Sequence, residues 1–443
     1  MSDKTKSDRT DKNEDPVAIA QKTTSIWTWI PSLYFTMGIP YIVVMSVSVA
    51  MYANLGLSNT QIALYTSYLN IPWVIKPLWS PIVVALKTKR WWIFITQLVM
   101  GAAFAAVAYF IQSDSFIAMT LAGLSLVAFS SATHDIAADG IYMDALTEEK
   151  QSFYVGIRSS FYRVAMIAGQ GGLVWLSGYL YHHNGGDYFK AWTTVFSGAS
   201  VYLILAGIYH IWSLPKIEQS NSDVSLKSVF NDFYKTFVTF FKIENIGIHI
   251  SVLLLFRLGE AQLVKIAQPF LFDDIANGGL ALTNEKVGIF YGTIGVIMLT
   301  VGGILGGVIV SRDGLKKWFF PMILAINIPN SMYFLLAYFT PQSNFLIGGA
   351  IALEQFGYGF GFTAYMMYMI YIARNSGKYK TAHFAFTTGF MALGMTIPGM
   401  VSGWLQEIMG YSNFFLWVLL CMLPMVILYK FVYIDPVFGK KAD

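Results

Sequence analysis

The chain has 443 residues, of which 56% are hydrophobic and 12% are charged, and its formal net charge is +4. Because soluble domains usually carry about 25% charged residues, this composition excludes an ordinary soluble protein and requires lipid to cover the excess apolar surface. The small net charge and the lone Cys421 exclude a nucleic-acid-binding surface and a disulfide within the chain, and we predict neither a metal site nor a cofactor.

The first segment, residues 1–25, is polar and charged. It lacks a short apolar core followed by a small-residue cleavage site, so we expect no cleavable signal peptide. It also has almost no apolar side chains to bury, and we therefore predict a disordered tail on the cytoplasmic side of the membrane.

Apolar segments long enough to cross the membrane, which requires about 20 residues, fill most of the remaining chain. We number them spans 1 to 12 in chain order. The first six form a predicted N-terminal bundle over residues 26–213 and are residues 26–50, 59–86, 91–112, 116–146, 152–181 and 190–213. The last six form a predicted C-terminal bundle over residues 244–434 and are residues 244–272, 285–310, 317–340, 344–372, 382–406 and 412–434. A short cytoplasmic tail, residues 435–443, follows them.

A polar linker, residues 214–243, separates the two bundles. Aromatic residues recur in it at helical spacing among charged residues, at Phe230, Phe233, Tyr234, Phe237, Phe240 and Phe241. This pattern predicts an amphipathic helix that lies on the cytoplasmic surface of the membrane. A soluble regulatory helix is the alternative interpretation.

Lysine and arginine are concentrated in the loops on one side of the predicted spans. The loops of the opposite side hold only Lys190 and Lys286, so the positive-inside rule predicts that both termini are cytoplasmic in a bacterial inner membrane. Six spans, a charged loop and six further spans are the layout of the major facilitator fold. We therefore predict an all-α polytopic membrane protein with that fold, with about twelve transmembrane helices in two pseudo-symmetric six-helix bundles.

Ionisable side chains inside the spans indicate function, because each costs at least about 2.5–3.5 kcal/mol at the membrane centre and must face protein or water. Span 4 carries three carboxylates, of which Asp135 and Asp139 are four residues apart and share a helix face. We predict a cytoplasmic network of Asp139, Asp144, Arg158 and Arg163 between spans 4 and 5. This network is either a gate that breaks as the halves move or a static ion network.

A second charged group lies nearer the middle of the membrane. Arg257 and Glu260 are one turn apart in span 7, and Glu354 lies beside Gln355 in span 10. A buried carboxyl group can bind a proton, so Glu260 and Glu354 are candidates for proton coupling. Arg257 is a candidate for binding a substrate carboxylate bidentately, unless it only neutralises Glu260.

Aromatic side chains offer a further kind of substrate contact. Trp79 and Tyr358 can stack on sugar rings, although most aromatic residues in membrane proteins only pack or anchor the interface.

Four motifs resemble one transporter family. They are SATHDIAADGIYMDAL at residues 131–146, IPWVIKPLWSP at 71–81, FRLGEA at 256–261 and LEQFGYGFGFTA at 353–364. They are similar to motifs of the AmpG-type muropeptide permeases of the major facilitator superfamily, which group with acetyl-coenzyme A transporters. Lys76 and Trp79 lie in register with the second-span motif of that family. One departure is Val84, where the family has an acid, and this change leaves Lys76 without that partner.

The resemblance implies a proton-coupled importer of anhydro-muropeptides, or of related solutes that contain amino sugars, working by alternating access. The implied proton-binding residues are Asp135, Asp139, Glu260 and Glu354, and the candidate substrate contacts are Arg257, Gln355, Tyr358, Lys76 and Trp79. The expected partners are a small solute, protons and lipid, with no nucleic acid, and we expect a monomer.

Two other functions remain as alternatives. The first is a facilitator or exporter of another solute, such as a siderophore, a drug or an acyl-coenzyme A. The second is a membrane-embedded enzyme or receptor, which is disfavoured because the sequence has no metal-ligand cluster, no nucleophile elbow and no phosphate-binding loop with a lysine. We therefore predict a transporter and not an enzyme.

Overall fold

The computed structural model describes residues 25–80, 83, 86–146, 148–216, 226–374 and 380–439, and these residues form helices and turns without any strand. Residues 1–24 of the predicted tail and Val84 lie outside the described residues. So do the side chains of Phe230 and Phe233 in the linker.

The first six predicted spans are helical. Their helices are Ile26–Asn54 for span 1, Asn59–Tyr68 and Ile71–Ile75 for span 2, Lys89–Phe110 for span 3, Phe116–Ala145 for span 4, Glu148–Met166 and Val174–His183 for span 5, and Tyr188–Ser213 for span 6. The two parts of span 5 are joined by a π-helical segment, Ile167–Leu173. Such wide turns in an α-helix are frequent at functional sites.

The second half of the chain repeats this arrangement after the linker helix Leu226–Phe241. Its helices are Ile246–Leu255 and Leu258–Phe272 for span 7, Asn284–Asp313 for span 8, Leu315–Phe339 for span 9, Asn344–Ala373 for span 10, and Lys380–Leu420 with Leu423–Leu428 for spans 11 and 12.

Length and composition alone mark seven helical stretches of the described residues as able to cross a membrane, and a bent pair that includes span 7 adds an eighth. One of the seven, His383–Phe431, has 49 residues. At 1.5 Å per residue it would extend about 70 Å, more than twice the hydrocarbon thickness of about 30 Å. It turns at Gly410, where φ is 71°, and therefore supplies both span 11 and span 12.

The other predicted spans, 2, 5 and 10, are helical but carry more polar residues or are interrupted. Span 2 breaks near Pro72 and continues as a 3-10 turn, Lys76–Leu78, because proline removes a helical hydrogen bond. Span 7 is interrupted at Arg257, whose φ and ψ of −114° and 22° are not helical. These interruptions lie beside the charged residues that the sequence singles out.

Among the described residues the two bundles meet where span 2 contacts spans 7 and 11, where span 5 contacts span 8, and where span 1 contacts span 7. Glycine allows close approaches at these crossings. A Cβ atom on Gly292 in span 8 would collide with the backbone of Gly171 in span 5, so a larger residue cannot fit at this crossing.

The linker helix is bent by 95° away from span 7, measured between Tyr234–Phe241 and Ile246–Phe272. Its Phe240 is buried and packs 5.9 Å from the Phe390 ring of span 11, whereas Tyr234 is 66% exposed. A helix that lies on the membrane surface runs roughly at right angles to the spans, and the linker helix has this direction.

Candidate functional site

Asp135 is the buried carboxylate of span 4 that faces span 2. The indole nitrogen of Trp73 donates a hydrogen bond to its Oδ2 at 3.0 Å, and Lys76 Nζ lies 3.9 Å from the same oxygen. Its Oδ1 has no hydrogen-bond partner among the described residues. Lys76 thus has a carboxylate of span 4 within 4.0 Å, because the break in span 2 brings both Trp73 and Lys76 to span 4.

Asp139 lies one turn further along span 4 and joins three spans. Arg158 Nη2 of span 5 lies 3.1 Å from Asp139 Oδ1, and the Tyr34 hydroxyl of span 1 donates to the same oxygen at 3.3 Å. The guanidinium carbon of Arg158 also lies 4.5 Å from the Tyr34 ring centroid and 4.8 Å from that of Tyr142. This ion pair is thus held in an aromatic setting that favours a cation.

The other two members of the predicted cytoplasmic network have different partners. Asp144 pairs with Lys89 of span 3, and Arg163 Nη1 donates to Thr300 Oγ1 of span 8 at 2.9 Å. The predicted grouping of four is therefore wrong. Asp144 follows Asp139 by five residues, and Arg163 follows Arg158 by five, so each is rotated by about 140° around its helix toward another neighbour.

Arg257 lies at the break of span 7 and is almost fully buried. It donates a hydrogen bond to the Tyr358 hydroxyl, and its guanidinium carbon lies 5.0 Å from the ring centroids of both Tyr358 and Phe362. Among the described residues no ion pair within 4.0 Å joins Arg257 to Glu260, and the guanidinium interacts electrostatically with that carboxyl group. The Arg257 Nε–H has no partner there either.

Glu260 of span 7 and Glu354 of span 10 are an enclosed pair of carboxyl groups that interact electrostatically, and they are 2% and 1% exposed. Gln355 Nε2 donates to Glu354 Oε2 at 3.0 Å. Glu354 Oε1 and Glu260 Oε2 have no hydrogen-bond partner among the described residues. The Tyr291 and Tyr333 hydroxyls interact electrostatically with both carboxyl groups.

Tyr41 of span 1 connects the two charged groups. Its ring packs edge-to-face on Trp73 at 5.2 Å, and its hydroxyl interacts electrostatically with both Asp135 and Arg257. Tyr41 was not predicted, because a tyrosine in an apolar span has no sequence signal that separates it from a packing aromatic. Tyr41 thus lies between the buried charges of the two halves. We call the surroundings of Asp135, Tyr41 and Arg257 the central region.

Trp79 does not join this central region. Its indole nitrogen donates to Thr133 Oγ1 at 3.2 Å, and its ring packs 5.7 Å from Phe129, which is 43% exposed at the bundle surface. Among the described residues no three His, Cys, Asp or Glu side chains are grouped so that they hold a metal ion.

The two bundles are joined by hydrogen bonds at one end, which we call the outer end because the charge distribution predicts it to be external. Glu407 of span 11 accepts from the Thr60 backbone N–H at 2.8 Å and from its hydroxyl at 2.6 Å, at the start of span 2. Asn54 of span 1 and Asn284 of span 8 donate to each other, at 3.1 and 2.6 Å. No local sequence pattern predicts these contacts.

Comparison with known proteins gives a family and a fold. The model of the BT1 family matches residues 37–336. A putative transporter AmpG 4 of Rickettsia conorii is 26% identical over 383 residues, which cover 83% of this chain and 87% of that protein. An anhydromuropeptide permease of Escherichia coli is 24% identical over 361 residues, which cover 80% of this chain and 69% of that protein. The resemblance to AmpG-type permeases is thereby confirmed.

The crystal structure of the nucleoside transporter NupG is similar with a TM-score of 0.66 and 16% sequence identity, over 94% of this chain and 98% of that one. This likeness concerns the fold alone. It confirms the predicted all-helical major facilitator fold.

Proposed function

The chain belongs to the BT1 family, and from that premise we propose that it imports anhydro-muropeptides, or related solutes that contain amino sugars, together with protons. The relative in Escherichia coli is named an anhydromuropeptide permease, and we extend that activity to this chain as part of the proposal. The observation that carries the proposal is the enclosed pair Glu260 and Glu354 beside a buried arginine.

Proton binding by this pair follows from its surroundings. Each carboxyl group has an oxygen without a hydrogen-bond partner among the described residues, and Arg257 donates to Tyr358 instead. Two carboxylates enclosed together repel each other, and a proton bound to one removes that repulsion. Release of the proton then requires water or a cation to reach the two carboxyl groups. Opening of the central region gives them this access.

Substrate binding in the same region has a chemical basis in Arg257. Its guanidinium is a planar donor that matches a carboxylate, and its Nε–H has no partner among the described residues. The rings of Tyr358 and Phe362 beside it offer faces for a sugar. Asp135 and Lys76 supply polar groups from the opposite bundle.

The hydrogen bonds between the bundles at the outer end support a transport cycle of alternating access. The contacts of Glu407 and Asn284 hold the bundles together on the side predicted to be external. Loading from that side therefore requires these hydrogen bonds to break, and the bundles then rock about the central region.

Uptake of a radiolabelled anhydro-muropeptide into proteoliposomes tests the proposed function. We expect accumulation when the vesicle interior is more alkaline than the medium, and loss of accumulation when a protonophore removes the gradient. Equal uptake with and without the gradient would identify a facilitator, and an absence of uptake with transport of a siderophore or drug would identify another solute.

Replacing Glu407 with alanine tests the joined outer end. The substitution removes both hydrogen bonds to Thr60, so the bundles should separate more often at that end. We expect a cysteine introduced at Leu57, which lines the cavity at the outer end, to react with a polar maleimide at least about threefold faster. The background carries Cys421→Ser. Glu244→Ala, at an exposed site, is the control, and an unchanged rate in Glu407→Ala would contradict the prediction.

A further inference from the structure

Lys265 is a buried cation that the proposed function does not use. It lies in span 7, one to two turns beyond Glu260, and its side chain is 3% exposed. Its Nζ has no hydrogen-bond partner among the described residues. Removing an ammonium group from water without a compensating partner costs several kcal/mol, so a purely structural reason for a lysine here is missing.

The surroundings of Lys265 lie at the boundary between the two bundles. A Cβ atom on Gly399 of span 11 would lie 2.7 Å from Ser67 Oγ of span 2 and 3.5 Å from Lys265 Cγ. Ser67 therefore brings a hydroxyl from the N-terminal bundle to the same place. This hydroxyl is also buried and has no hydrogen-bond partner among the described residues.

Arg257 is turned toward the same boundary, since its guanidinium interacts electrostatically with Tyr41 of the N-terminal bundle. Arg257 and Lys265 are eight residues apart, which corresponds to about 12 Å along a helix. Two basic side chains of one span thus face the opposite bundle at two depths.

We propose that Lys265 and Ser67 form a second anion-binding site, which holds a carboxylate of the solute while Arg257 holds another. The ammonium supplies three donors and the hydroxyl a fourth, which suits a carboxylate. The site selects solutes that carry a second carboxylate, such as a muropeptide whose peptide has more than one free carboxylate. This inference rests on the proposed function and specifies its substrate class.

The test compares two probes, an anhydro-muropeptide with a free carboxylate at the end of its peptide and the same compound with that carboxylate amidated. Binding to the purified full-length protein is measured by calorimetry. We expect the wild type to prefer the free acid about tenfold, Lys265→Met to bind both probes equally, and Lys265→Arg to keep a preference. Lys286→Met, at an exposed position of the outer end, is the control and should behave as the wild type.

Thermal unfolding of the protein without probe separates binding from a structural role. Since the lysine is buried without a partner, Lys265→Met should melt at a higher temperature than the wild type. A variant that melts lower and keeps the tenfold preference would overturn the second site. Wild-type protein that binds both probes equally would also overturn it, whereas wild-type protein that binds neither would overturn the proposed substrate and this inference together.

Discussion

Replacing Glu354 with glutamine will abolish uptake driven by a pH gradient and leave exchange of solute across the membrane intact. Glutamine keeps the size of the side chain and its hydrogen bond with Gln355, but it cannot bind and release a proton. Exchange requires only the movement of the loaded protein between its two states, so it does not depend on that proton.

The quantity measured is the amount of radiolabelled solute that enters proteoliposomes. It is measured first with an imposed pH gradient, and then with unlabelled solute inside and no gradient. We expect gradient-driven accumulation to fall at least about tenfold and exchange to stay within about twofold, in line with the loss of one required protonation step. Glu244→Gln, at an exposed carboxylate of the linker end, serves as the control. Undiminished accumulation in Glu354→Gln would exclude a coupling role for this residue.

Replacing Arg257 with glutamine should raise the KM for an anionic solute about 10- to 100-fold. The guanidinium is the charged donor at the break of span 7, and a hydrogen bond to a charged group is worth about 1.5–3 kcal/mol. Lysine at this position should recover only part of the affinity, because an ammonium cannot bind a carboxylate with two parallel hydrogen bonds.

Initial rates of uptake over a range of solute concentrations give the KM and the maximal rate of each variant. Arg312→Gln is a matched control, since this arginine pairs with Asp313 at the exposed end of span 8. If Arg257→Gln kept the KM of the wild type and lost only maximal rate, the arginine would act in the conformational change and not in binding.

Hydropathy and the distribution of lysine and arginine were sufficient to predict the fold. Each predicted span is helical in the described residues, and the turn at Gly410 falls in the short interval predicted between spans 11 and 12. These features depend on local composition and on the thickness of the membrane, which a single sequence contains.

The partners of the charged residues were predicted less well, because they depend on how each helix is rotated against its neighbours. Asp139 and Asp144 are close in sequence, yet one pairs with Arg158 and the other with Lys89. Counting residues gives the depth of a side chain in the membrane, but it does not identify the helix that lies opposite.

Contacts between the bundles were beyond the sequence analysis for the same reason. Thr60 and Glu407 are 347 residues apart, and no local pattern connects them. In the sequence, the one feature that marks this contact is the carboxylate of Glu407 at the outer end of span 11. Trp79 belongs to a family motif, and its ring packs against Phe129 of span 4.

Proton movement triggered by solute is the most direct test of the central claim, that the enclosed carboxyl groups of Glu260 and Glu354 couple proton binding to transport. Anhydro-muropeptide is added to lightly buffered, de-energised proteoliposomes while a pH electrode records the medium. Wild-type protein should make the medium more alkaline as protons enter with the solute, and the double variant Glu260→Gln, Glu354→Gln should produce no change. An equal alkaline shift from the double variant would contradict the claim.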